Sequence, residues 1–162
     1  KRTSHISSFQ KEVEILKMVD HPHIIKYITA YHQNASLNLI MSPVAQSTVK
    51  EYLASSGPIR NDFSRIQKWI CCLSSALSHI HSRKIRHADI KPSNILIRDE
   101  DIFISDFGIS RIVSEPDSTS SSISPSTPFY AAIEIATRQR HGRKADVFSF
   151  GCVVVELLTV AH

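Results

Sequence analysis

Apolar residues recur at helical spacing near the start of the chain, where Phe9, Val13 and Leu16 share one face of "SFQKEVEILKMVD". Ser7 or Ser8 is the N-cap this pattern predicts. The period then changes. "HPHIIKYITAYH" and "SLNLIMS" are β-rich and flank a polar turn at Gln33-Asn34, which predicts a hairpin. "QSTVKEYLASSG" predicts a short helix stopped by Gly57-Pro58. From Asn61 to about Arg83 the helical period returns, placing Ile66, Trp69, Ile70, Leu73, Leu77 and Ile80 on one face. Short apolar runs at Ile95–Ile97 and Ile102–Ile104 then flank polar turns. Residues 114–127, "SEPDSTSSSISPST", carry too little apolar material for a core and read as a mobile loop. The last segment, "DVFSFGCVVVELLTV", is apolar nearly all round, the pattern of a helix buried in the middle of a larger domain.

Composition narrows the class. At 162 residues, 42% hydrophobic and 21% charged, the chain is long enough for one domain with a real core. No apolar run approaches the ~20 residues that span a bilayer. The opening "KRTSHISSFQ" has neither an initiator Met nor an apolar stretch, so it does not read as a signal peptide, and the abrupt ends suggest an excerpt. Cys71, Cys72 and Cys152 form no disulfide framework and no metal spacing; reduced thiols point to an intracellular protein, cytoplasmic or nuclear. The net charge of +4 is spread over scattered cations without a basic block, which argues against nucleic-acid binding.

The chemistry-bearing residues gather in two places. "HADIKPSN" sets Asp89, Lys91 and Asn94 close together, and "DFG" begins at Asp106, twelve residues after Asn94. An isolated Asp-x-Lys is common and an isolated Asp-Phe-Gly is an ordinary turn. Their order, and the β-rich "ILIRDEDIFIS" between them, make a purely structural reading much weaker. In this order the chain resembles the middle of a eukaryotic-type serine/threonine protein kinase domain, from about residue 1 to residue 162.

The resemblance implies an α+β, bilobal kinase-like fold: a partial β-rich N-lobe over 1–41, a hinge over 42–47 and a partial, mainly helical C-lobe over 48–162. It implies ATP and Mg²⁺ as cofactors and a protein Ser/Thr hydroxyl as acceptor. Asp89 corresponds to the base that takes the hydroxyl proton, Lys91 to the lysine that neutralises the transferring phosphoryl group, and Thr127 to the threonine that bonds both. Asn94 and Asp106 correspond to the Mg²⁺ ligands, hard oxygen donors of the kind that ion requires. Phe107 is a packing residue and Gly108 a hinge. Glu12 corresponds to the glutamate of the small-lobe helix that pairs with a strand lysine; Lys1 is a candidate partner, though the spacing is short. Met41 falls at the gatekeeper position, the Ser42 carbonyl and the Val44 backbone face adenine, and Leu96 lies beneath its ring. Leu16, Tyr27, His87 and Phe107 match a stacked apolar column. Glu134 anchors the end of the activation segment, and Asp146 accepts backbone N–H bonds from the catalytic loop. Lys91 followed by Pro92 is the serine/threonine form of that loop.

Several positions depart from the family pattern. Ala88 replaces an arginine that normally meets an activation-loop phosphate, so phosphorylation-dependent switching is expected to weaken more than phosphoryl transfer. Ile133 replaces a proline, Ser126 stands where glycine is common, and Phe148 replaces tryptophan. None of the four glycines, 57, 108, 142 and 151, lies near the start, so the Gly-rich phosphate lid is absent from these 162 residues. The later C-lobe helices are absent too, and the isolated segment is not expected to turn over ATP usefully. Two alternatives stay open: a pseudokinase or scaffold that kept the fold, and a truncated, inactive fragment.

Overall fold

In the computed structural model, which describes residues 2–34, 36–55, 63–113, 128–136 and 142–160, helix α1 spans Arg2–Met18. Ser7 and Ser8 therefore lie inside the helix and not at its cap. Nothing between residues 2 and 8 breaks a helix, and serine costs only ~0.5 kcal/mol there relative to alanine. Ile15, Leu16 and Val19 are buried, whereas Phe9 and Val13 are half-buried. Strands β1 (Lys26–Gln33) and β2 (Ser36–Ser42) pair antiparallel with Gln33 opposite Ser36. The turn uses Asn34 at φ 50, a left-handed conformation that asparagine tolerates. Ser42-Pro43 is cis.

The chain then enters β3 (Ser47–Thr48) and helix α2 (Val49–Ala54). Thr48 and Glu51 form a capping box: Glu51 N–H donates to Thr48 Oγ1 at 3.2 Å, and Thr48 N–H to Glu51 Oε2 at 2.7 Å. The Gly57-Pro58 stop lies outside the described residues. Helix α3 covers Phe63–Ser82 and buries Ile66, Trp69, Leu73, Ala76, Leu77 and Ile80, leaving Ile70 half-buried. Short strands follow: β4 (Ile85–Arg86), β5 (Ile95–Arg98), β6 (Asp101–Ile104) and β7 (Arg111–Ile112). Among the described residues, helices α4 (Ile133–Ala136) and α5 (Lys144–Thr159) complete the order.

Among the described residues three small antiparallel sheets result, β1-β2, β3-β5-β6 and β4-β7. Together with the helices they give the α+β arrangement expected. One apolar cluster joins Leu16 of α1, Trp69, Leu73 and Ile80 of α3, Ile95, Ile102 and Ile104 of the β5-β6 pair, and Val153 and Leu157 of α5. Trp69 fills its centre. Its indole N–H donates to the Glu100 carbonyl at 3.0 Å and its ring meets Tyr52 edge-on at 5.2 Å. Ile25 N–H donates to the Ile104 carbonyl at 2.9 Å, tying the first hairpin to β6.

Helix α5 buries one side, with Ala145, Asp146, Ser149, Val153 and Leu157 inside, and exposes Val147, Phe148 and Val155. Its apolar character thus exceeds what these residues cover. No helix among the described residues is long and apolar enough to cross a membrane.

Candidate active site

The site is built on the loop between β4 and β5, and its shape is set from a distance. Asp146, at the start of α5 and 2% exposed, accepts three hydrogen bonds. His87 N–H reaches Oδ2 at 2.9 Å, Ala88 N–H reaches Oδ1 at 2.8 Å, and His81 Nε2 lies 2.9 Å from Oδ2. Gripping two consecutive amides holds Ala88 at φ 72, a conformation costing ~1–2 kcal/mol for a residue with a Cβ. The grip turns the chain so that the next side chain, Asp89, faces Lys91 and Asn94.

Those three residues form one network. Lys91 Nζ donates to Asp89 Oδ2 at 2.6 Å, and Asn94 Nδ2 donates to the same oxygen at 2.9 Å and to the Asp89 carbonyl at 3.0 Å. Asp89 Oδ1 receives no hydrogen bond from the described residues, which leaves one carboxylate oxygen for an incoming hydroxyl. His87 stiffens the loop from behind. Asp89 N–H donates to His87 Nδ1 at 3.3 Å, which makes Nε2 the protonated nitrogen, and Nε2 donates to the Ser105 carbonyl at 3.1 Å. Complete burial holds the His87 pKa below the usual histidine value, so the ring stays neutral.

The second motif packs against the first. Phe107 is buried and meets the His87 ring edge-on, centroids 4.8 Å apart. Asp106 has φ 66, and Gly108 N–H donates to its Oδ1 at 3.3 Å. Gly108 itself needs no left-handed φ; glycine here supplies space. A Cβ would lie 3.3 Å from Asp106 Oδ1 and 3.7 Å from Glu12 Oε2. Burial, and then the nearby Asp106 carboxylate, raise the Glu12 pKa. The two acids thus lie near one another, beside a cavity that Glu12 lines together with Lys11 and Arg111. Asn94 spends its amide N–H groups on Asp89, and its Oδ1, which accepts from Ser93 Oγ at 3.5 Å, keeps a second lone pair for a ligand. An amide oxygen and a carboxylate oxygen are a donor set that suits a hard divalent cation.

Other expected residues fall around this centre. Leu16 and Phe107 belong to the core cluster, with Tyr27, Met41 and Leu96 packed against it. Ser42 ends β2, and Val44 is 83% exposed just beyond it. Glu134 lies in α4, half-buried, beside the 74% exposed Ile133. Thr127, Lys1 and Ser126 lie outside the described residues. A groove of about 520 Å³ borders Lys91 and is lined by Lys50, Ser93, Tyr130 and Glu156. Tyr130 Oη donates to Glu156 Oε1 at 2.7 Å, and burial followed by that bond raises the tyrosine pKa.

Sequence reasoning missed several supporting residues. Ser105 donates from N–H and Oγ to the Asn94 carbonyl, both at 2.9 Å, and Ser110 Oγ donates to the His87 carbonyl at 2.9 Å. The two serines bracket the Asp106 motif and join it to the Asp89 loop. Only their adjacency to that motif marked them. His81 and Arg86 carried no signal.

A protein kinase domain model matches residues 1–162, the whole of the chain. The chain belongs to the protein kinase domain family. It is 31% identical over 161 residues to mitogen-activated protein kinase kinase kinase ANP1 of Arabidopsis thaliana, covering 98% of this chain and 24% of that protein. It is 32% identical over 155 residues to the mouse serine/threonine-protein kinase Nek1, covering 94% of this chain and 13% of the relative. The Caenorhabditis elegans serine/threonine-protein kinase nekl-2 is 33% identical over 161 residues, with 94% of this chain and 44% of that protein covered. The chain therefore spans less than half the length of each of these relatives.

Proposed function

We propose that the protein transfers the ATP γ-phosphoryl group to Ser/Thr hydroxyls of a protein substrate. The observation that carries this reading is the Asp89–Lys91–Asn94 network on a loop held by Asp146. Membership of the kinase family and the names of the relatives support it. Residues 1–41 then form part of the N-lobe, 42–47 the hinge and 48–162 part of the C-lobe. Adenine meets the chain at Ser42 and Val44, between Met41 and Leu96.

In this mechanism Asp89 Oδ1 accepts the hydrogen bond of the substrate hydroxyl, orients it in line and takes its proton as the new P–O bond forms. Lys91 lies against Asp89 and sets a positive charge next to the transferring group. Asn94 Oδ1 and Asp106 would hold Mg²⁺, which supplies charge neutralisation at the phosphates. The groove beside Lys91 gives the substrate chain a place to lie. Ala88 offers only a methyl group, so position 88 cannot make the arginine–phosphate contact usual in the family.

The test is Mg²⁺-ATP phosphorylation by the full-length protein, wild type against Asp89→Asn. A loss of ~10²-fold or more is expected, the scale of a removed general base. Equal incorporation by the two proteins rules out Asp89 as the base. No incorporation by wild type, with ATP binding retained, favours a binding module.

A further inference from the structure

The loop between α1 and β1, residues 19–25, is fastened on two sides. Its backbone is tied to β6, where Ile104 N–H donates to the His23 carbonyl and Ile25 N–H to the Ile104 carbonyl, both at 2.9 Å. The other side rests on α3 through a histidine. His21 Nε2 lies 3.0 Å from Ser75 Oγ, and the His21 and His79 rings face each other at 5.4 Å between centroids. The His23 ring stands 5.9 Å from that of His21, so three imidazoles meet where the loop touches the helix.

Hydrogen-bond partners fix where two of these rings carry their protons. His21 Nδ1 accepts from His23 N–H at 3.1 Å, so the proton of the neutral ring sits on Nε2 and points at Ser75 Oγ. Both nitrogens are thereby spent. A second proton can enter only at Nδ1, where it meets the His23 N–H, donor against donor. His23 is the opposite case. Its Nδ1 donates to the Ile102 carbonyl at 3.0 Å, so a further proton enters at Nε2 and leaves that bond intact.

The surroundings offer nothing to a charged His21. Its titratable neighbours are His23 on the loop and His79 on α3, and His79 Nε2 is itself closed off from solvent without a hydrogen-bond partner. Among the described residues no carboxylate pairs with any of the three rings, and Asp20, next in the chain, is exposed. Burial first, and then His79 and His23, lower the His21 pKa. A protonated ring gains hydration only by turning out of this seat, which gives up the Ser75 bond as well.

We propose that His21 is a pH-sensitive latch: neutral, it holds the 19–25 loop on α3, and protonated, it releases the loop. The backbone bonds to β6 do not titrate, so release is local and the hairpin stays in place. Helix α1, which carries Glu12, runs straight into this loop, so the latch links acidity to how firmly α1 is held on the rest of the chain. The latch does not depend on the kinase reading, because its readout is exchange at the loop.

The experiment is hydrogen exchange on the full-length protein between about pH 7.5 and about pH 5, with each rate corrected for the intrinsic pH dependence of exchange. Protection of residues 19–25 should fall about fivefold or more as the pH is lowered, the scale of a lost hydrogen bond, while the β1-β2 hairpin and α3 keep theirs. His21→Gln and His21→Asn, neutral at every pH, should show a flat profile across the same range. His23→Gln should keep the response of wild type. Should neither His21 variant fold, wild type and His23→Gln carry the test. A change below about twofold in wild type overturns the proposal. So does an equal loss in the hairpin and α3, which is global unfolding. A response that survives in a His21 variant, or that vanishes in His23→Gln, gives the titration to another group and overturns it as well.

Discussion

Replacing Asp146 with asparagine should release the Asp89 loop while leaving the side chain's shape and volume almost untouched. The carboxylate accepts from His87 and Ala88 N–H at 2.9 and 2.8 Å and faces His81 Nε2 at 2.9 Å, in a site only 2% exposed. An amide has one accepting oxygen. With that oxygen kept toward His87 and His81, its NH₂ faces the Ala88 N–H, donor against donor. The variant loses one hydrogen bond to a charged acceptor, about 1.5–3 kcal/mol, and leaves a buried N–H unsatisfied, about 1–3 kcal/mol. The two terms overlap, so a total of about 3–4 kcal/mol is reasonable, in line with breaking a buried charged contact. That is a large share of a typical domain stability of ~5–15 kcal/mol. Hydrogen exchange on the intact protein reads it directly: amides across residues 85–94 should exchange about a hundredfold faster or more, since ~1.4 kcal/mol is a factor of ten. The same amides in a variant of an exposed residue should not change. An acceleration below threefold, with an unmoved melting temperature, would show that the carboxylate does not hold the loop.

Ala88→Gly should stabilise the protein by about 0.5–1 kcal/mol, because relief of the left-handed strain outweighs the extra freedom glycine gains when unfolded. A raised denaturation midpoint with unchanged slope is the expected sign, and a lowered one contradicts the strain at φ 72. Stability should fall in mild acid. The pKa values of His87, through burial, and of His21, through burial and then the nearby His79 and His23, are depressed from 6.5. Between 6.5 and those lower values the unfolded chain binds protons that the folded chain refuses. The contribution is thus complete above pH 6.5 and lost as pH falls through the folded values. Glu12, with its pKa raised, acts in the opposite sense at lower pH. Comparison with His21→Gln isolates the histidine effect: its melting temperature should vary less steeply below pH 6.5, and parallel curves count against the reading.

Local pattern decided much of this protein. The helical period of Ile66, Trp69, Leu73, Leu77 and Ile80 specified the buried face of α3, because side chains three and four apart share a face whatever lies opposite. The polar turn at Gln33-Asn34 specified the first hairpin for a similar short-range reason. Asp89, Lys91 and Asn94 were legible because they meet within six residues on one loop. The misplaced start of α1 shows the limit, since serine is a weak signal where nothing else ends a helix. Only the tertiary structure decided what grips that loop. The Asp146 bonds to His87 and Ala88 cross 59 and 58 residues of chain, and no period or spacing records such a partner. Ser105 and Ser110, whose bonds to Asn94 and His87 join the two motifs, are ordinary polar residues in the sequence. Arg86 differs most from its composition: a residue type that is normally exposed lies buried in a two-residue strand, with one edge of its guanidinium unmet. Burial of that kind depends on what packs on the other side, which the linear chain does not carry.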